Sequence, residues 1–530
     1  MTTTPPQAPT HWLISKRWDL LILAAVVIGS ALIRIPGIPH GIGFHPDERH
    51  MVQVTESLTR NHMNPKSFAY GSVSFYAAWG FAHLLQPFWK QAVTYDGFFY
   101  SGRIFCTVMG TITVALSYYL ALLMYRRSIV GLIAAFLMGC NVFHLQLSRY
   151  FTSDITLTTF SLISIIALIK AHQRGNLASF LVFGICAGLA TATKISSVFL
   201  LAPLGLVIGL AVIKEWPATG GTVRFTKIFA IVVGGLSALG VALFLTYWKG
   251  YPRVFQQRIA QQAFLIPLSV PFLLAISLFL RKHSLALSKL FACLSIGTLV
   301  FVLAEPYAIL DFQTFSRQTQ EQTNMVRGIW RPPYTVQYEH TLPYLYHLKQ
   351  MLWYTMGWPV FIAVALGVLV AFGRVFVDLL DKIFRGELAT KPLTPEMIPL
   401  VFAGVFFIAT GHFQVKFPRY LLPLYPILFT FAAALLATCI RKPKSRGLAT
   451  ATRAQDTSTQ RLVVSTPLLA PVDTSTSILR SEEAPASTSE PVDHHETPTL
   501  VITEASSALN ENEPGSEAYS ETKSEESPKE

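Results

Sequence analysis

Charge is scarce in this 530-residue chain: Asp, Glu, Lys and Arg make up 14% of it, against roughly 25% in an ordinary globular protein. Cysteine is scarce too. Cys106, Cys140, Cys186, Cys293 and Cys439 all lie in apolar runs with no CxxC pair, which excludes a disulfide framework or a zinc site and leaves small core residues. No cleavable leader is expected either: Lys16 and Arg17 precede a long apolar run with no small-residue cleavage site clearly placed after it, so that run is expected to remain as the first transmembrane helix. What the chain has in abundance is apolar surface, 52% of its residues.

The few charges are segregated. Residues 441–530 hold 9 Lys/Arg and 15 Asp/Glu, and the first 440 hold 33 and 15. An apolar segment of that length, with polar residues gathered into short clusters, is a polytopic membrane protein. Soluble enzymes, nucleic-acid-binding domains and disulfide-stapled secreted modules are excluded, because the basic excess belongs to membrane-flanking loops. The expected fold class is an all-α membrane protein.

A spanning helix needs about 20 mostly apolar residues. Twelve runs qualify: 20–36, 101–124, 128–146, 154–170, 177–193, 196–213, 227–248, 262–280, 286–306, 351–372, 396–411 and 420–440. The aromatic segment 72–88, with Trp79, His83 and Pro87, reads as an interfacial helix. Lys16-Arg17, Arg126-Arg127, Lys170 with Arg174, Lys214 with Arg224 and Lys227, Arg281-Lys282, Arg374 through Lys391, and Arg441-Lys442 all fall on one side. By the positive-inside rule that side is cytoplasmic. Residues 1–19 are then a cytoplasmic N-terminus, 20–440 a membrane domain with long external loops at 37–100 and 307–350, and both termini lie inside a plasma membrane. Residues 441–530, rich in Ser, Thr, Pro and Glu, lack the apolar content to offset ordering entropy and are expected to form a disordered cytoplasmic tail.

The unusual ionisable groups collect on the external side. Phe44-His45-Pro46-Asp47-Glu48-Arg49-His50 follows the first span, and Ser148-Arg149-Tyr150-Phe151-Thr152-Ser153-Asp154 opens the fourth. Lys194, Glu305-Pro306-Tyr307, Lys416, Arg419 and Tyr420 lie at later span ends. Singly, each has a structural reading: a carboxylate in a helix first turn, a snorkelling lysine, a proline-broken terminus. Together, on one side of a membrane where ionisable groups are costly, they suggest a site for an anionic lipid substrate. His45, Asp47, Glu48 and His50 lack a diagnostic metal-ligand spacing. No metal ligand is assigned, no cofactor is firmly implied, and a divalent cation is left open.

The order of motifs resembles the polyprenyl-phosphate-sugar-dependent glycosyltransferases of the GT-C fold, in particular the protein O-mannosyltransferase-like group, glycosyltransferase family 39. The resemblance rests on FHPDERH after span one, NPKSFAYGSVSFY in the first external loop, SRYFTSD before span four, GLATATKISSVFLLAPL, LAEPYAIL and VKFPRYLLPLYPILF. The loop RGIWRPPYTVQYEHTLPYLYHLKQMLWYTMG is similar to that of prokaryotic carrier-lipid-dependent members. Coverage runs from about residue 15 to 440. The resemblance implies a GT-C bundle of about twelve helices. It implies transfer of a sugar from a polyprenyl-phosphate carrier to a hydroxyl of a glycan, lipid or protein acceptor, on the outer face and with inversion.

A departing phosphate needs no protonation, so one carboxylate acting as base on the acceptor suffices, with positive charge where the phosphate leaves. Asp47 is the expected base. Glu48 is expected to orient the acceptor or support the loop helix, and Asp154 to be the second acidic residue of the site. Lys194, Arg419 and Lys416 are expected to bind the carrier phosphate, with Arg149, Glu305, Tyr307 and Tyr420 as further substrate contacts. A twelve-span secondary transporter is the alternative; such proteins usually have two similar halves with midplane sites on broken helices, and the halves here differ.

Overall fold

The computed structural model describes residues 17–41, 45–215, 263, 265–388 and 390–440. The expected span 227–248 and the tail 441–530 lie outside the described residues. Every regular element among the described residues is helical. Among the described residues seven helices are long and apolar enough to cross a membrane: Arg17–Gly37, Tyr95–Tyr125, Ser153–Arg174, Ile195–Glu215, Leu285–Ala304, Trp358–Phe384 and Pro418–Cys439. Four shorter apolar helices, Ser128–Cys140, Leu177–Thr191, Leu265–Leu280 and Met397–Gly411, complete the set. These eleven fall on eleven of the twelve expected spans.

Two boundaries differ from expectation. The run 128–146 stops at Cys140, because the Asn141 side chain accepts the His144 N–H at 2.9 Å and starts a separate short helix, Val142–Leu147. The span expected at 351–372 begins instead at Trp358 and continues to Phe384. Gly357, at φ +77°, breaks the chain there, and Pro359 occupies the new helix's first turn, where its missing N–H costs nothing. Part of the basic cluster from Arg374 is therefore helical, with Arg374 and Lys382 paired to Glu396 and Asp378 at 3.3 and 2.7 Å.

Burial separates the centre from the rim. In Ser153–Arg174, 78% of the apolar window is buried, against 11% in Arg17–Gly37 and 17% in Trp358–Phe384. The latter two present apolar surface outward, as lipid-facing helices must. The central helix is buried on all sides and rich in hydroxyls, three of which return to its own backbone or cross to a neighbour: Thr158 donates to Asp154 O at 2.7 Å, Ser164 to Phe160 O at 2.8 Å, and Thr159 meets Thr113 at 2.8 Å. Where hydrophobic driving force between helices is absent, close backbone approach replaces it. Leu177–Thr191 and Leu285–Ala304 cross in that way: a Cβ on Gly188 would lie 2.5 Å from Gly297 O.

The connection 37–100 is ordered in its described part by two helices, Pro46–Ser57 and Ser72–Leu85. The second is the segment expected to be an interfacial helix. The connection 307–350 contains the amphipathic helix Phe312–Val326 and pins itself to the first loop. Asn64 donates to Asp311 at 3.2 Å, Gln318 accepts the Phe68 N–H at 2.6 Å, and the Tyr307 hydroxyl donates to His62 O. The two connections thus cover one end of the bundle together.

Candidate active site

Four charged side chains from four distant segments meet at that end. Asp47 sits in the first turn of Pro46–Ser57, where proline sets the first helical residue and the helix dipole favours a carboxylate. Asp154 is in the first turn of the central helix. Lys194 is extended, in the turn between Leu177–Thr191 and Ile195–Leu200, and Arg419 opens the last spanning helix. Arg419 holds Asp47 at 2.5 Å and lies 3.7 Å from Asp154, whose other oxygen accepts from Lys194 at 2.7 Å. The order is Asp47, Arg419, Asp154, Lys194: two negative and two positive charges in a chain.

Exposure grades along it. The Asp154 side chain is 3% exposed, while Asp47, Lys194 and Arg419 keep 21, 18 and 15%. The three that reach solvent are those a substrate can touch. Aromatic faces complete the cations' surroundings, Tyr420 under Lys194 at 4.8 Å and Phe417 under Arg419 at 4.5 Å. Beside them lie His45, packed on Tyr150, and His50, which bonds Ser67 at 2.8 Å. Burial lowers the pKa of both histidines, so both lean to the neutral form. Tyr70 is close enough to feel the charges of Asp47, Arg419 and Asp154, and burial raises its hydroxyl well above the usual range.

Other expected site residues lie elsewhere. Glu48, one residue from Asp47, is fully buried; Arg103 grips both its oxygens at 2.7 and 2.6 Å, and it accepts the Phe151 N–H at 2.9 Å. Spent on those partners, it ties the loop helix to the bundle and is sealed from solvent. Arg149 extends away to the Ile33 carbonyl at the end of the first helix. Lys416 is 1% exposed, donates to Gln414 O at 3.0 Å and lies near buried His347, pushed down to about 4 by burial and by that lysine. It does not join the charge chain. Glu305, just past the end of Leu285–Ala304, is buried, with the Ser72 N–H directed at its carboxyl, and burial pushes it up to about 8. Tyr307 is committed to the first loop. Among the described residues, no group of three or more His, Cys, Asp or Glu could hold a metal.

Arg103 and Tyr70 were missed in the sequence. Arg103 also donates to the carbonyls of Ile38, His40 and Gly41 at 2.7, 2.6 and 3.1 Å. Its signal was available: an arginine inside an otherwise apolar span needs a buried partner.

The fold is thus that of a polytopic helical membrane protein, with a charged cluster at one end. Residues 86–249 match the family model described as dolichyl-phosphate-mannose-protein mannosyltransferase. This match bears out the resemblance drawn from the motifs over that stretch of the chain. No curated protein matches the chain.

Solved structures similar to it include the oligosaccharyltransferase AglB of Archaeoglobus fulgidus in complex with an inhibitory peptide and a dolichol-phosphate, at 15% identity and TM-score 0.45, covering 85% of this chain and 53% of that one. The apo form of ArnT from Cupriavidus metallidurans shows 13% identity and TM-score 0.41, covering 83% and 61%. The S. cerevisiae protein O-mannosyltransferase Pmt1-Pmt2 complex bound to the sugar donor shows 18% and 0.30, covering 44% and 34%. The chain spans about half the length of the archaeal oligosaccharyltransferase.

Two stability predictions follow from the buried carboxyls. Glu48→Ala leaves Arg103 charged and buried without its partner, which costs about 3–5 kcal/mol and is read as a large fall in Tm. Glu305 has a folded pKa raised above its ordinary 4.5. Its contribution is therefore fully present below about 4.5 and lost as pH rises through about 8. Thermal melts of wild type and Glu305→Gln across that window should show wild type losing ground to the variant as pH rises. A constant difference would return Glu305 to the ordinary range.

Proposed function

We propose that this protein is an integral-membrane glycosyltransferase that moves a sugar from a polyprenyl-phosphate carrier to an acceptor hydroxyl on the outer face of the membrane, with inversion. The observation that carries the reading is the convergence of Asp47, Arg419, Asp154 and Lys194 in one partly exposed charge cluster. The mannosyltransferase match over residues 86–249 favours it over a secondary transporter.

The chemistry uses each charge in turn. The donor is a phosphodiester with one negative charge, and it binds by drawing Arg419 partly away from Asp47 while Lys194 approaches from the other side. Asp47, released, accepts the acceptor's proton as that oxygen attacks the anomeric carbon from the face opposite the phosphate. The carbon–oxygen bond to the carrier breaks, and the leaving polyprenyl phosphate takes a second negative charge. Lys194 and Arg419 meet that growing charge, an interaction stronger in the transition state than before it. Asp154 holds both cations in place from below. Arg419 bridges the two aspartates, at 2.5 Å from Asp47 and 3.7 Å from Asp154. Glu48 and Arg103 keep the loop helix, and hence Asp47, in register.

Orientation follows from the basic loops: both termini inside, the loops 37–100 and 307–350 outside, in the plasma membrane. In a cysteine-free background, exposed Lys66→Cys and Gln337→Cys should react with an impermeant thiol reagent in intact cells, and exposed Lys282→Cys should not. Labelling of Lys282→Cys alone would invert the orientation.

The base is tested by Asp47→Asn. Turnover of a radiolabelled polyprenyl-phosphate sugar should fall by about 10² or more, while donor binding is kept or tightened because Arg419 loses a competing carboxylate. Near-normal turnover would remove Asp47 from the chemistry. Gradient-driven solute uptake into proteoliposomes, without donor consumption by wild type, would favour the transporter.

A further inference from the structure

Lys194 lies in a turn that the first loop grips by its backbone. Gly71 donates its N–H to Thr193 O at 3.0 Å, and Val73 donates to Ala192 O at 3.2 Å. The acceptors are carbonyls just past the C-terminus of Leu177–Thr191; the donors are the N–H groups of Gly71, which caps Ser72–Leu85, and of Val73 in its first turn. Two helix ends that would each leave backbone groups unsatisfied instead satisfy one another, with opposite ends of two helix dipoles facing.

The approach is tight. A Cβ on Gly71 would lie 2.0 Å from Ala192 O and 2.8 Å from the carbonyl carbon of Thr193. Gly71 itself has φ −73° and ψ 157°, a conformation any residue adopts, so a glycine is needed there for space and not for backbone freedom. Ala192, Thr193 and Ser72 are all 0% exposed, which leaves little room for the turn to retreat. Lys194 is the next residue, and its Nζ reaches Asp154 at 2.7 Å.

We infer that Gly71 is a positioning residue: by letting the first loop dock its backbone on residues 192–193, it sets where the Lys194 ammonium stands in the cleft. The functional half of this inference rests on the glycosyltransferase reading above. The geometric half does not. Gly71 touches no substrate; it acts through the turn. A displacement of about 1 Å in a charged group of a reacting site can cost about 10² in rate, and a methyl forced into this contact must move the turn by a comparable distance.

The test combines kinetics with the reactivity of Lys194 in the full-length protein. Gly71→Ala should lower turnover by about tenfold or more and raise KM for the polyprenyl-phosphate sugar. In a Lys194→Gln background the same change should add little, because both act on one interaction. Acylation of Lys194 by an amine-specific reagent, followed by mass spectrometry, should be slow in wild type, where the amine is paired, and several-fold faster in Gly71→Ala. Unchanged Lys194 labelling, or kinetic losses that add fully to those of Lys194→Gln, would overturn the inference.

If Gly71→Ala does not fold, amide hydrogen exchange on wild type decides: slow exchange at Gly71 and Val73 supports the grip, and rapid exchange overturns it. Wild type that consumes no donor, yet shows the Lys194 labelling difference, would sink the glycosyltransferase reading and leave the positioning geometry standing.

Discussion

Everything at the cleft depends on a charge chain that is neutral as a whole. An ion taken out of water costs several kcal/mol unless partnered, so Asp154, nearly sealed from solvent, needs both Lys194 and Arg419. Meeting that need brings together the start of the central helix, the turn after Leu177–Thr191 and the start of the last spanning helix. Asp47 joins through Arg419 and brings the first-loop helix with it. On the proposed function, an anionic donor entering such a chain would exchange partners and create no uncompensated charge.

A second ion pair beneath carries the mechanical load. Glu48 and Arg103 are both fully buried and hold each other with two short contacts. They separate the two acidic neighbours by function: one residue of the helix faces the cleft, the next is anchored in the bundle. The cleft is therefore built in two layers, an accessible one that can exchange partners and a closed one that cannot.

The spans were legible because the bilayer demands long apolar runs, and hydropathy reads that demand directly. The breaks at Asn141 and Gly357 were not, since one capping side chain and one left-handed glycine hardly change the mean hydropathy of a run. In the cleft, the residue types were legible as ionisable groups at span ends. Their partition was hidden. Asp47 and Glu48 are adjacent in sequence but point in different directions around a helix, and Lys416 and Arg419 part company because the chain between them turns into a helix at Pro418. Gly71 lies within NPKSFAYGSVSFY, yet nothing in that motif tells which distant carbonyls its missing side chain makes room for.

Arg103 holds the first loop by the carbonyls of Ile38, His40 and Gly41, which every amino acid carries alike. That contact reads the path of the loop and ignores its spelling. The side chain of Ile38 is thereby released from the duty of holding the loop and is open to evolutionary drift, whereas the His40 ring still bonds Pro36 O at 2.7 Å. Divergence in this stretch among kindred chains would change the rim of the cleft while its floor stayed where Arg103 keeps it.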